Sequence, residues 1–315
     1  MIDEITPEQK ALMDVVRDEW LDMFFSLPVL DEDACREGVE WLYGFCGLKK
    51  PVVLFADSPL AAQFMANLSR TKDFSKEVRK EVRKEVELKV RSEVWLEVES
   101  KVGKEVWSEV WSKVRSEVWS KVWLEVESKV WSEVESKIGL DYYNFSSYGN
   151  ISDFGWMAFY DFFERIGTFK NGDLGKFRGL MKSGVYDMIQ LDGLCIVCRM
   201  PVQIWRDADK KLHSTTEPAV QFKDGYSQHY LHGIFFGEDL WKRVCEKKLS
   251  LKELMSIKNL EQRYVAMKLY VGSEMLEKFG VLMDESGREN HLYATPNLIA
   301  DSDHVLTGGS NDRLH

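Results

Sequence analysis

Hydrophobic positions follow one strict period through the middle of this chain and looser ones on either side. Val recurs at every fourth position from Val78 to Val134, 15 times without a slip, and Ile138 takes the next place. The residue before each is Glu or Lys; the one after is Trp, Arg, Glu or, once, Gly103. On a helix of 3.6 residues per turn, four residues turn about 400°, so the Val stripe advances ~40° per repeat and circles the helix. No straight seam is expected, and every side of the helix meets Val or Trp. As strand, Val would share a face with Ser, Lys or Leu, and so long a stretch would need regularly placed turns. Gly103 is the one turn-forming glycine in it, and proline is absent. Dense Glu, Lys and Arg favour helix, although Val and Trp do not. The segment is therefore read as helix rather than β-solenoid, roughly 90 Å long if continuous at ~1.5 Å per residue.

The flanks carry ordinary signals. Thr6-Pro7-Glu8-Gln9 predicts a capped helix start, with Leu12, Val15, Val16, Trp20, Met23 and Phe24 on its apolar side. A second helix is expected over about 32–46, closed by Gly47. A strand follows at Pro51–Ala56, and Ser58-Pro59 caps a third helix to about Leu68. After the repeat, Ser152 is read as the cap of an aromatic-rich helix from Asp153 to Ile166, and Asn171-Gly172-Asp173 opens another that ends near Gly184. Strands are then predicted at Leu194–Cys198, Val202–Trp205, Ala219–Lys223 and Tyr226–Tyr230, the last two joined by the two-residue hairpin signal Asp224-Gly225. Helices return at about 239–248, 251–257 and 260–270, with a capping box at Ser250–Glu253 and an N-cap at Asn259. Leu282–Asp284 and His291–Ala294 read as one more hairpin. The expected class is α+β. The segments are a helical 1–74, the repeat at 75–139, an α+β region at 140–307 with antiparallel hairpins, and a flexible tail at 308–315.

Composition narrows the function classes. The 315 residues carry 42 Lys and Arg against 52 Asp and Glu, a formal net charge of −10. Residues 75–137 are neutral, with 14 basic and 14 acidic side chains, so the acidity lies outside the repeat. An acidic surface argues against nucleic acid and anionic membranes as partners. No apolar run spans a bilayer, and the N-terminus lacks a signal peptide's basic and apolar regions, so a cytoplasmic location is expected. Five thinly spread cysteines argue for reduced thiols. Cys195 and Cys198 form a C-x-x-C inside an apolar strand pattern with no second ligand pair, so they are read as core residues and not as a metal site.

Several segments together resemble an uncharacterised bacterial family, known only as a domain of unknown function. They are Pro51–Pro59; Trp156–Phe163; Trp205-Arg-Asp207 with Lys211-Leu-His213; Glu217–Tyr226 followed by Tyr230-Leu-His232-Gly233; and Asn259–Arg263. In that family, Trp-rich tetrapeptide repeats ending in Val sit between the same flanks. The chain departs from the family pattern after these segments, where a strand-like segment ending Arg-Val-Pro-Pro is usual. The resemblance implies a domain layout and no activity. Pro218–Gly233 is also similar to a single copy of the short hairpin repeats in which Asp-Gly turns alternate with aromatic strands.

Candidate chemistry is confined to one stretch. Asp207, Asp209, His213, Asp224, His229 and His232 fall within 26 residues. They could form a His/Asp acid–base pair or a two-His-one-carboxylate metal site. The plainer reading makes the aspartates turn residues and the histidines hydrogen-bonding groups of the sheet. On a regular strand His229 and His232 would face opposite sides. No nucleotide-binding, nucleophile-elbow or zinc-protease motif is present. No cofactor or bound metal is expected. The leading expectation is a non-enzymatic interaction or assembly protein. Its repeat, through Trp95, Trp107, Trp111, Trp119, Trp123 and Trp131, would mediate self-association or docking of a protein partner. The alternative is a hydrolase or nuclease-like enzyme using Asp207, His213 and His232.

Overall fold

The computed structural model describes residues 2–69, 76–138, 142–146, 148–271, 281–286, 290–294 and 306–308. It has the expected α+β class and two compact units. The first comprises Met1–Ile204 and Val220–Ser227, the second Trp205–Ala219 and Gln228–His315. The repeat thus belongs to the first unit, together with the segments on either side of it.

In the first unit, α1 (Pro7–Phe25) opens with the expected Thr6 capping box and buries Met13, Val16, Trp20 and Phe24. Helix α2 (Glu32–Phe45) is capped by Asp31 and leaves through Gly47 at φ +69. The strand β1 (Val52–Ala56) precedes α3 (Pro59–Ser69), whose first turn is held by the Ala61 N–H donating to Ser58 Oγ. A small sheet of order β1–β3–β2 places β3 (Leu194–Arg199) in the middle, parallel to β1 and antiparallel to β2 (Val185–Leu191). Cys195 and Cys198 are wholly buried on β3, where loss of solvent pushes both thiols well up and keeps them protonated.

The repeat forms two helices, α4 (79–101) and α5 (104–137), broken at Val102-Gly103. Expectation and structure agree on helix but differ on its pitch. Three stretches, Glu87–Arg91, Trp111–Ser116 and Ser120–Glu127, are π-helical. Bonding from i to i+5 puts more than four residues in a turn, against 3.6 in the α turns between, so the mixture tracks the four-residue repeat. The Val stripe therefore does not wander. Every repeat valine from Val78 to Val134 is at most 5% exposed. π turns are less favourable than α turns, but keeping the eight valines of α5 on one side secures roughly 1.5 kcal/mol or more for each.

A helix with four residues per turn has four faces, and the sequence fills each differently. Opposite the valines lies an outward row that is mostly Ser, with Lys and Leu. The flank before each valine carries a ladder of i,i+4 pairs: Glu85–Lys89, Glu97–Lys101, Glu109–Lys113, Glu117–Lys121 and Glu125–Lys129. Each such pair contributes only about 0.3–0.5 kcal/mol, so the ladder solvates the flank more than it stabilises it. The flank after each valine bears the tryptophans. The expectation that every side of the helix would be apolar is corrected here: the rows stay in phase, and the back is polar.

Nor is the repeat one rod. At its break the Ile2 N–H donates to the Lys101 carbonyl (2.7 Å) and the Gly103 N–H to the Ile2 carbonyl (2.9 Å). A Cβ at Gly103 would stand 3.0 Å from Asp3 Oδ1, so glycine lets Ile2 and Asp3 lie in the notch. The chain then turns back. Trp95 meets Trp107 at 4.4 Å and Trp111 at 6.1 Å between ring centroids, distances closed to residues 12 and 16 apart on a straight helix.

Helix α6 (Phe154–Arg165) is the partner of α5. Its start is capped by Asn150, which accepts from the Ser152 N–H and leads into a 3₁₀ turn at Ile151–Asp153. This corrects Ser152 as the cap: the longer amide reaches the free N–H from outside the turn. Phe159 of α6 takes Trp107 at 4.8 Å and Trp111 at 5.6 Å. Arg115 lies 3.7 Å over the Trp111 ring. Farther along, Trp123 packs on Trp131, and Trp131 stacks on Phe145. The repeat's valine row and most of its tryptophan surface are thus covered by its own unit. The helix α7 (Gly172–Lys182), capped by Asn171, and the strands β4 (Gln203–Ile204) and β5 (Val220–Gln221) complete it. Beyond β5 the chain reverses at Asp224-Gly225 as expected, but not by a two-residue turn: the Gly225 N–H donates to the Phe222 carbonyl (3.1 Å), so Lys223 and Asp224 are its central pair and Gly225 follows them. Gly225 lies at φ +88, and the Tyr226 carbonyl accepts from Phe222 N–H at 2.8 Å.

In the second unit β6 (Ser227–Leu231) pairs antiparallel with β7 (Ile234–Phe236). Helices α8 (Glu238–Cys245), α9 (Leu251–Met255) and α10 (Leu260–Val271) follow, and Leu231, Phe236, Trp241, Val244, Leu254 and Ala266 form their shared core. Ser250 makes the expected capping box, and Asn259 accepts from Gln262 N–H. The last hairpin is present as β8 (Val281–Ser286) and β9 (Asn290–Ala294), joined by β10 (Leu306–Gly308). Gly308 therefore ends a strand; the rest of the expected tail lies outside the described residues. Among these residues no helix is long and apolar enough to cross a membrane.

Candidate functional site

Two tight turns of the second unit bring the Asp/His candidates together. In the first, Asp207 N–H donates to the Lys211 carbonyl (2.9 Å), Lys211 N–H returns to Asp207 Oδ1 (3.0 Å), and Lys210 sits at φ +66. The expected role of Asp207 as a turn residue is realised, and Asp209 is exposed at the tip. The second turn links β6 to β7 through His232-Gly233, at φ +48 and +80, the pair of positive values that a two-residue hairpin requires. Glycine takes this conformation at lower cost, but histidine, like asparagine and aspartate, is among the side chains that tolerate it.

The turn frees the His232 N–H, which donates to His213 Nδ1 at 3.1 Å. The His232 ring stacks on His213, with centroids 4.2 Å apart, and its Nδ1 lies 2.7 Å from Asp207 Oδ2. These bonds fix the protons. With Asp207 ionised, His232 carries hydrogen on Nδ1 and a lone pair on Nε2; neutral His213, accepting at Nδ1, carries hydrogen on Nε2. Burial tends to raise the Asp207 carboxyl, but hydrogen bonds from His232 and the Lys211 N–H hold it below its ordinary range. Burial, then the neighbouring His232, lowers His213.

The arrangement offers two chemistries. His232, oriented by Asp207, presents Nε2 as a base beside the Nε2–H donor of His213. Alternatively, one donor atom from each of Asp207, His213 and His232 lies within 4.8 Å of the others, the compass of a small metal site. The existing bonds compete with the metal. Asp207 and His232 engage each other, and His213 Nδ1 already faces an N–H, so coordination would have to break that set. His229 and Asp224 take no part. His229 packs on Trp241 at 4.5 Å, and Asp224 accepts from Ser58 Oγ at 2.6 Å.

A pH profile checks this geometry. Because His213 binds its proton more weakly folded than unfolded, the unfolded state takes up more protons below about pH 6.5, and stability falls as pH drops through that range. His213→Ala should lower the melting temperature at neutral pH and flatten the acid limb without removing any intrinsic activity. Stoichiometric zinc or manganese in purified protein, lost in His213→Ala/His232→Ala, would contradict the hydrogen-bonded reading.

The repeat tryptophans, the other candidates, are distributed unevenly. Trp95, Trp107, Trp111, Trp123 and Trp131 are half-buried in the aromatic contacts above, whereas Trp119 is 37% exposed. A further group escaped the sequence reading: the acids Glu127, Asp153 and Asp187, all buried in the first unit. Asp187 had a signal, as the lone charge in the apolar run Val185–Leu191; Glu127 had none, because Glu follows Val elsewhere in the repeat. No protein-family model, curated protein or solved structure matches this chain.

Proposed function

We propose that the protein is a non-enzymatic interaction protein that self-associates through the outward row of its repeat helices. The observation that carries this reading is the filling of that row. On α4 it runs Leu88, Ser92, Leu96, Ser100, large and small in alternation at one turn's spacing. Leu88 is 56% exposed and Leu96 64%; Leu124 on α5 is 44% exposed. Most other positions of the row carry serine, so three leucines in water ask for a partner. A row that alternates knob and gap is complementary to an antiparallel copy of itself, which is the isologous geometry of a two-fold dimer. The tryptophans serve mainly to mount the helices, and Trp119 is the one that adds to the exposed surface.

Replacing all three leucines with serine, the residue the repeat itself uses there, tests the reading with little risk to the fold. Light scattering should give a concentration-dependent dimer for the natural chain and a monomer of unchanged helicity for Leu88→Ser/Leu96→Ser/Leu124→Ser. A natural chain that stays monomeric at every concentration would overturn it.

A second reading keeps the Asp207–His232 pair as the base of a hydrolase, supported by the free Nε2 of a histidine held in a positive-φ turn. Hydrolysis of model ester or phosphodiester substrates, abolished by His232→Gln, would favour it.

A further inference from the structure

Among the described residues the most anomalous buried group is the carboxyl of Glu127. It lies on the third π-helical stretch of the repeat, the second of α5, wholly inside the first unit, and neither oxygen has a hydrogen-bond partner of ordinary kind. A bare carboxylate in such a place would cost several kcal/mol, more than a domain tolerates without compensation.

The neighbour within hydrogen-bonding reach is Asp187, from the middle of β2. Its two oxygens are treated very differently. Oδ1 accepts from Met188 N–H (2.7 Å), Asn150 Nδ2 (2.8 Å) and Ser146 Oγ (3.3 Å). Oδ2 has no donor at all. Three donors on one oxygen are the signature of an acceptor, and the vacant oxygen next to a second carboxyl lacks only a proton between the two. We infer that Glu127 is carried as the neutral acid and donates its proton to Asp187 Oδ2, clipping the repeat helix to the central sheet.

Among the described residues, no cation is among the groups that act on Glu127 or Asp187, and Arg79 acts on the neighbouring Tyr142. Asp153, also buried, adds negative charge to Glu127. Tyr142, Cys195 and Cys198 are the other titratable groups that sense Asp187, and all three are neutral there. Arg91 acts on Asp153. The buried Trp131 indole N–H is near enough to lower the Asp187 carboxyl, yet neither it nor Oδ2 has a partner at hydrogen-bond geometry. Burial and the two acids hold Glu127 well above the carboxylate range, while burial brings Asp153 and Asp187 to about 7. Because the folded state holds this proton more tightly than the unfolded chain, the clip is complete at acid pH and weakens as the pH rises through and beyond neutrality. The segment 120–137 is then the first part of the repeat to loosen in alkali.

Infrared difference spectroscopy of the full chain tests the inference at mildly alkaline pH, where Asp153 is mostly ionised. The natural protein should show the carbonyl band of a protonated carboxyl, and Glu127→Gln, whose amide donates the same bond, should lose it while keeping the fold. Should that variant fold poorly, Asp187→Asn provides the alternative, since its neutral amide is a much weaker acceptor for the Glu127 proton; the band should shift to higher frequency. Absence of the band in the natural protein, or its persistence unchanged in a folded variant, would overturn the inference.

Discussion

Val114→Asp should abolish cooperative folding of the first unit, whereas Ser112→Asp, two residues earlier, should leave the melting curve almost unmoved. Val114 lies in the second π-helical stretch, wholly buried where α5 packs on α1 and α6. Removing the valine forfeits roughly 1.5–3 kcal/mol of apolar burial, and an unpaired charge at the same place adds several more. Together these reach about 5 kcal/mol, comparable with the whole stability of a typical domain. Ser112 is on the outward row, exposed, half a turn away. Urea or thermal unfolding followed by circular dichroism separates the two outcomes. Equal tolerance of both substitutions would mean that the valine row is not the buried one.

Gly155→Ala should destabilise the first unit by about 1–3 kcal/mol, a large effect for a single methyl group in a helix, where alanine is otherwise favoured over glycine. The reason is the closeness of α6 to α5. A Cβ at Gly155 would stand 2.8 Å from Trp119 Cβ and 3.0 Å from the Arg115 carbonyl, both fixed by the backbone of α5. The helices would have to separate, and the nearby contacts of Phe159 with Trp107 and Trp111 would open with them. Chemical denaturation measures the loss. A variant as stable as the natural protein, following alanine's higher helix propensity, would show that the two helices are not so closely packed.

Much of this architecture is legible in local signals. Thr6 and Ser250 cap as their spacing with Gln9 and Glu253 demands, and the chain reverses at Asp224-Gly225 because Gly225 takes the positive φ. What the sequence conceals depends on distant partners. The pitch of the repeat is one case: fixed at 3.6 residues per turn the valines must spiral, and only the one-sided covering by α1 and α6 selects the π turns that straighten them. β2 is another, since Asp187 interrupts its apolar run for reasons that lie in Glu127 and in the donors of Ser146, Asn150 and Met188. At the candidate site, Asp207, His213 and His232 were visible as residue types. Their convergence was not, because the alternation argument assumes a strand and His232 stands in a turn. His229, which does lie on the strand, turns away to Trp241 as that argument requires.

The repeat's pitch is the claim on which the buried valine row, the polar back and the proposed docking row all rest. Single cysteines at Ser108, Ser112, Ser132 and Ser136, all exposed on the outward row of α5, test it by the rate of thiol labelling in the Leu88→Ser/Leu96→Ser/Leu124→Ser background, where association cannot mask them, with that background as blank. Four residues per turn keep these positions on one side, so all four should react within a few-fold of one another, while cysteines at Val110 and Val130 stay protected. A uniform α-helix would rotate Ser132 about 240° away from Ser108. Labelling that is fast at Ser108 and slow at Ser132 would contradict the account.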